Sequence, residues 1–203
     1  MPKKSDTTIP LKEACIEAAR DVIAERGIEN LSLREVARKL GVSHQAPYKH
    51  YPSRDHLLAE VMRRCFEGFA RHLDARERFE APAADLHALG QQYLRYAAAH
   101  PLEYRLMFGT PWPEPADHAD LVKDAVHAFD VLRSVLRRMH GTAKSKEALV
   151  DLDAMFIWSS MHGLASIMQA NVMDQLNLSK NVSRGAAEHV MQMMARAMAA
   201  RPQ

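Results

Sequence analysis

Between Gly41 and Tyr51 the chain crowds together side chains that make hydrogen bonds: Ser43, His44, Gln45, Tyr48, Lys49 and His50. His44 and Gln45 can reach the donor and acceptor edges of bases, whereas Lys49, His50 and the Tyr48 hydroxyl can reach phosphate oxygens. This is the chemistry of recognition, not of bond making. Arg34 and Arg54 flank the run, and Ser43 and Ser53 place hydroxyls at helix starts, where backbone N–H groups favour phosphate. Charge gathers in the same place. Residues 30–54 carry Arg34, Arg38, Lys39, Lys49 and Arg54 against Glu35 alone, a formal charge of +4, while the whole chain carries +2. Such a patch fits a polyanion such as double-stranded DNA, although a solvated helical face explains charge taken by itself.

Other chemistries find no pattern to support them. The chain has no Gly-rich phosphate loop, nucleophile elbow or paired-carboxylate motif, and its eleven histidines show no metal-ligand spacing. Cys15 and Cys65 are too few for a disulfide framework or a C-x-x-C site, which points to a reducing cytoplasm. No apolar run follows Met1-Pro2-Lys3-Lys4 to make a signal peptide, and the longest uncharged stretch, 154–173, is broken by serines, His162 and Asn171. No enzyme, metal, cofactor or membrane span is expected, and a cytoplasmic location follows.

The elements that must position the donors are helices. Ala, Leu, Met, Arg and Glu dominate and β-branched and aromatic residues are sparse, so an all-α fold of about nine helices is expected. Ala14, Ala18 and Val22 recur at helical spacing up to Gly27. Ser32-Leu33-Arg34-Glu35 has capping-box spacing and starts a second helix that ends at Gly41. Ser43 then caps a short third helix over 44–50, before Pro52-Ser53 opens a long amphipathic fourth helix over 54–78. Further helices are expected over 86–99, 102–108, 116–139, 145–172 and 183–200. Three prolines within 111–115 make the segment after Gly109 an irregular loop. A short helix behind a glycine turn, braced by its predecessor, is a helix-turn-helix.

The run Leu33-Arg34-Glu35-Val36-Ala37-Arg38-Lys39-Leu40-Gly41-Val42-Ser43, followed by Tyr48, Tyr51, Ser53, Arg54 and Leu57-Leu58, resembles the DNA-binding signature of tetracycline-repressor (TetR) type regulators over residues 11–61. The resemblance implies that Tyr48 and Arg54 touch the DNA backbone. Gln45 stands where glycine or proline is common in that family, and Pro47 where a leucine-like residue usually packs, so base preference does not transfer. Candidate DNA-binding residues are Arg34, Ser43, His44, Gln45, Ala46, Tyr48, Lys49, His50, Ser53 and Arg54. Tyr51 reads as core, and Tyr48 as a ring that packs while its hydroxyl reaches out.

The remaining chain resembles the ligand-binding and dimerisation region of such regulators. Trp158-Ser159-Ser160-Met161-His162-Gly163 resembles the Trp-x-x-x-His-Gly pattern of a WHG-type C-terminal domain. Trp158 and His162 share one helical face, and Gly163 suits a close backbone approach. His162 reads either as a hydrogen-bonded core histidine or as a ligand contact. Candidate ligand-lining residues are Tyr93, Tyr96, Tyr104, Met107, Phe108, Trp112, Phe129, Met155, Trp158 and His162; the alternative is a filled core. Eight methionines from Met155 to Met198 fall in the last two long helices, where they read as a pliable pocket wall or ordinary core; the resemblance implies that these helices pair between subunits, and we expect most of the methionines at that interface.

These readings describe a three-helix DNA-binding domain over 1–54 and a helical ligand-binding and dimerisation domain over 55–203. The function expected is that of a sequence-specific transcription regulator. The resemblance implies a homodimer through the last two helices, released from a pseudo-palindromic operator by a small molecule, which the few charges among the candidate lining residues suggest is apolar. A ligand-independent DNA-binding or architectural protein is the alternative.

Overall fold

The structure, a computed structural model, describes residues 9–170 and 175–199. Eight α-helices and four short 3₁₀ turns occur among the described residues, with no strand. The helices are α1 (Leu11–Arg26), α2 (Leu33–Leu40), α3 (Arg54–Asp74), α4 (Pro82–Ala99), α5 (Pro101–Phe108), α6 (Ala119–His140), α7 (Glu147–Gln169) and α8 (Lys180–Ala199). The all-α expectation holds. Met173, Ala200 and the basic residues ahead of Ile9 lie outside the described residues.

Two compact units divide the chain. The first takes in Met1–Phe66 and Leu106–Asp124, the second Glu67–Arg105 and Ala125–Gln203. In the first, α1 packs against α2, and Cys15, Ile16, Ala19 and Val22 from α1 are buried along with Leu33, Val36 and Ala37 from α2. Leu57, Val61 and Met62 of α3 are equally buried. In the second unit α4 packs against α7 and α8, which also pack against each other. Gly90 of α4 makes the approach of α8 close: a Cβ built there would stand 3.1 Å from the Met191 sulfur.

The ends of α2 form for local reasons. The Glu35 amide donates to Ser32 Oγ at 3.1 Å, so serine caps the helix as its spacing predicts. The Glu35 carboxylate instead accepts from Arg26 and Arg38. Gly41 closes the helix in the left-handed conformation (φ 67°), and the Val42 amide reaches back to the Ala37 carbonyl at 3.1 Å. The short third helix is not α-helical. Residues 47–49 form a single 3₁₀ turn behind a turn at 44–46. Pro47 has no N–H to donate, and Ala46 N–H to Ser43 O, Lys49 N–H to Ala46 O and His50 N–H to Pro47 O each span three residues, with one four-residue bond, Tyr51 N–H to Pro47 O, closing the segment.

Two other expectations change. α3 ends at Asp74, and Arg76, just past it, turns inward and is buried. α4 begins at Pro82, four residues earlier than the apolar pattern suggests, because proline at the first helical position needs no partner for its missing N–H.

Candidate nucleic-acid interface and aromatic relay

The reading segment, 43–50, is held at both ends. Behind it Tyr51 is buried, 3% exposed, and its hydroxyl donates to the Lys12 carbonyl at 3.1 Å. Burial pushes this phenol far above its ordinary value, so the hydroxyl stays protonated and keeps donating. Pro47 is buried beneath the segment and fills the packing position expected for a larger apolar residue. Tyr48, 44% exposed, faces outward with Lys49, His50, Ser43, His44 and Gln45, while Ala46 is half-buried.

Ion pairing redistributes the positive charge seen in the sequence. Arg38 is joined to Glu35, and Lys39 to Glu25 at 2.7 Å and Asp21 at 3.5 Å. Those acids hold the cations at their own surface: the Lys39 hydrogen bond keeps the Glu25 carboxyl below its usual range, and Arg38 does so for Glu35. Arg34 is exposed at the start of α2, and neither it nor Lys49 has an ion-pair partner among the described residues. These two are therefore the cations left for an outside anion. Ser53 caps α3, accepting from the His56 amide at 3.3 Å and bonding the His56 Nδ1 at 2.9 Å. Arg54 is engaged with the protein itself. Its Nε donates to the Leu31 carbonyl at 3.1 Å, its Nη2 to the Ile28 carbonyl at 2.9 Å, and its Nη1 to Asp55 at 3.2 Å.

The candidate ligand residues fall into separate groups. In the second unit Tyr93 and Tyr104 are buried with their hydroxyls 2.7 Å apart, and Tyr104 is hydrogen-bonded to His162 Nδ1 at 2.7 Å. Tyr93, Tyr104 and His162 thus form one hydrogen-bonded line. The Tyr104 and His162 rings stack at 5.6 Å, Trp158 lies 6.2 Å from His162, and Phe129 meets Trp158 edge-on at 5.9 Å. Burial pushes Tyr93 up to about 12, raises Tyr104 further, and lowers His162 from the ordinary histidine value. All three are neutral at pH 7. Tyr96 belongs to a neighbouring group with Phe69 at 5.0 Å, His100 at 4.5 Å and His72 at 5.3 Å.

Met107, Phe108 and Trp112 belong to the first unit, where Trp112 Nε1 donates to the Met107 carbonyl at 3.0 Å and both Phe108 and Trp112 pack edge-on against Phe66. That hydrogen bond pins the proline-rich loop. Met155 is 50% exposed on α7. Met161, Met191, Met194 and Met198 are buried within the chain, whereas Met155, Met168 and Met193 are exposed, so fewer methionines face outward than the sequence suggests. Among the described residues no atom lies within 4 Å of a Cβ built on Gly163.

One cluster has no signature in the sequence. Asp85, its side chain 1% exposed, is held by Arg76 at 3.0 Å and by Arg138 at 2.6 Å. Arg138 also donates to the Phe79 and Glu80 carbonyls and Arg76 to that of Leu73, which ties the α3–α4 connection to α6. The partners are nine and 53 positions apart, and only folding brings them together.

Residues 16–61 match the model for bacterial regulatory proteins of the tetR family, and residues 86–194 match the tetracycline repressor-like C-terminal domain. The chain belongs to the tetracycline-repressor family. An HTH-type transcriptional regulator of Mycobacterium tuberculosis strain H37Rv and its counterpart in Mycobacterium bovis are each 29% identical to it over 114 residues, 55% of this chain and 49% of theirs. The TetR-family chain thus spans about half the length of the curated relatives it matches. Among solved structures, a protein of unknown function from Rhodococcus sp. RHA1 superposes with a TM-score of 0.72 at 21% identity, covering 97% of both chains. A tetR family transcription regulator from Shewanella sp. PV-4 superposes with a TM-score of 0.66 at 17% identity, covering 92% of this chain and 96% of its own. At these identities the likeness shows the TetR fold alone. Family and relatives' names together point to a DNA-binding transcriptional regulator rather than an enzyme. No described helix is long and apolar enough to cross a membrane.

Proposed function

We propose that this TetR-family chain is a cytoplasmic repressor that binds a pseudo-palindromic operator as a homodimer and leaves it when a small molecule occupies the second unit. The observation that carries the reading is the outward row of Ser43, His44, Gln45, Tyr48, Lys49 and His50 over a buried Pro47, between two anchored ends. Arg34, Tyr48, Lys49 and Ser53 position the protein on phosphates. His50 joins them on the phosphates, while His44 and Gln45, with Ala46 between the two groups, face bases.

Dimerisation rests on exposed apolar side chains. Leu152, Met155, Phe156, Ile167 and Met168 of α7 stand out toward solvent with Val182 and Met193 of α8, although the opposite sides of both helices are buried. Two helices with a second apolar face of this kind suit a symmetric contact with another copy. The effector site takes in Tyr93, Tyr104, Phe129, Trp158 and His162, all neutral at pH 7, which favours an uncharged, largely apolar molecule with one polar group.

Selection of binding sites from random double-stranded DNA tests the proposal. An inverted repeat with half-sites about one helical turn apart is expected. Retention without a common motif, vanishing as salt rises, would mean non-specific binding and an architectural role.

A further inference from the structure

Arg54 is the first residue of α3, a place where the helix dipole favours acids and disfavours a cation. Asp55 obeys that preference; Arg54 does not. The guanidinium is accounted for by what it touches. Two of its nitrogens donate to the Leu31 and Ile28 carbonyls at 3.1 and 2.9 Å, and a third is 3.2 Å from Asp55. Leu31 is buried and immediately precedes Ser32, the cap of α2. Ile28 opens the 3₁₀ turn that links α1 to α2. One side chain at the start of α3 thus fastens the connection from which α2 departs.

This fastening bears on the reading segment because of what the other end does. Residues 43–50 hang between the Gly41 cap of α2 and Tyr51, and Tyr51 is tied to α1 through the Lys12 carbonyl. Arg54 holds the α2 side of that span and Tyr51 holds the α1 side. Two carbonyls three residues apart demand a planar fork of donors. An arginine supplies it, whereas a lysine ammonium is a single point and cannot hold both carbonyls in this geometry.

We propose that Arg54 is a positioning residue for DNA recognition, acting through the Ile28 and Leu31 carbonyls to set where α2 and the reading segment stand, rather than a phosphate contact. The inference rests on the DNA-binding reading above. Basic residues at this position are implied by the family resemblance to touch the DNA backbone, and the two roles make opposite predictions. A phosphate contact is a charge, and removing it lowers the salt dependence of binding by about one counterion. A clamp is a geometry, and breaking it weakens binding while the salt dependence stays.

The test uses the full chain as wild type, Arg54→Lys and Arg54→Ala, with Lys49→Ala as the phosphate comparator. Affinity for a site recovered by selection is measured against salt by fluorescence anisotropy, with the active fraction of each protein fixed by stoichiometric titration. Arg54→Lys is expected to bind about tenfold more weakly with an unchanged salt slope, and Lys49→Ala to reduce the slope by about one. Hydrogen–deuterium exchange without DNA supplies the second readout. The Glu35 and Val36 amides, bonded to Ser32 in the first turn of α2, are expected to exchange faster in Arg54→Lys, with peptides from 125–170 unchanged. If Arg54→Lys binds like wild type while Arg54→Ala loses one unit of slope, Arg54 is a phosphate contact and the inference is overturned. Wild-type affinity per active molecule for both variants, with only a lowered melting temperature, overturns it too by reducing the clamp to a stability role. If the wild type selects no site, the DNA-binding reading fails, and the exchange measurement alone decides whether Arg54 positions α2.

Discussion

Tyr104 and His162, 58 positions apart, share a 2.7 Å hydrogen bond and stack ring on ring. The bond joins α5 to α7 and continues to Tyr93 of α4. Tyr104→Phe keeps the ring and removes the hydroxyl at the centre of this line. It is expected to cost about 1–3 kcal/mol, since a buried group that loses its partner forfeits more than the bond itself is worth. Urea denaturation would measure the loss, and a change within 0.3 kcal/mol would show that the relay carries no stability.

Burial holds the His162 imidazole below its ordinary value, and desolvation is also the main influence on His72. The unfolded chain takes up its proton near pH 6.5, the folded chain only at lower pH. The stability these groups confer is complete above about pH 6.5, declines as pH falls toward their depressed folded values, and levels off below them. Thermal melts across this range should show the decline, and His162→Gln with His72→Gln should flatten it. An identical slope in the double variant would assign the acid sensitivity elsewhere.

Asp85 pairs with two guanidinium groups in a site where the Arg76 side chain is 3% exposed. Asp85→Ala leaves Arg76 buried without its carboxylate and is expected to destabilise the chain by about 3–5 kcal/mol. Asp85→Asn, which still accepts hydrogen bonds, should cost less. Equal losses in denaturant titrations would show that the lost charge, common to both variants, accounts for the whole effect and that the hydrogen bonds add nothing.

Base reading and backbone contact should separate by mutation. Tyr48→Ala is expected to weaken binding to every DNA sequence, whereas His44→Ala and Gln45→Ala should change which bases are recovered in a selection experiment. The same loss of preference from all three would contradict the division.

Phe156 and Ile167 are exposed apolar residues of α7. Their joint replacement by glutamate is expected to convert a dimer to a monomer in sedimentation and to lower operator affinity about a hundredfold or more, since one half-site remains to be bound. An unaltered sedimentation coefficient would place the interface elsewhere.

Local patterns settled much of this protein in advance. The Ser32 cap, the Gly41 stop, the cluster of outward donors after Ser43 and the proline-broken loop after Gly109 depend on neighbours a few residues away, and each is legible in the sequence for that reason. So are the all-α class and the family. The third helix was less legible, because Pro47 removes a backbone donor at the point where one turn of α-helix would have needed it. Long-range pairings were not legible at all. Arg54 on the Ile28 and Leu31 carbonyls, Asp85 between Arg76 and Arg138, and Tyr104 against His162 join side chains whose separation in the chain obeys no period. The division of the methionines likewise depends on which side of α7 and α8 faces the core. A sequence states which groups need partners; only the packed helices decide which partners they find.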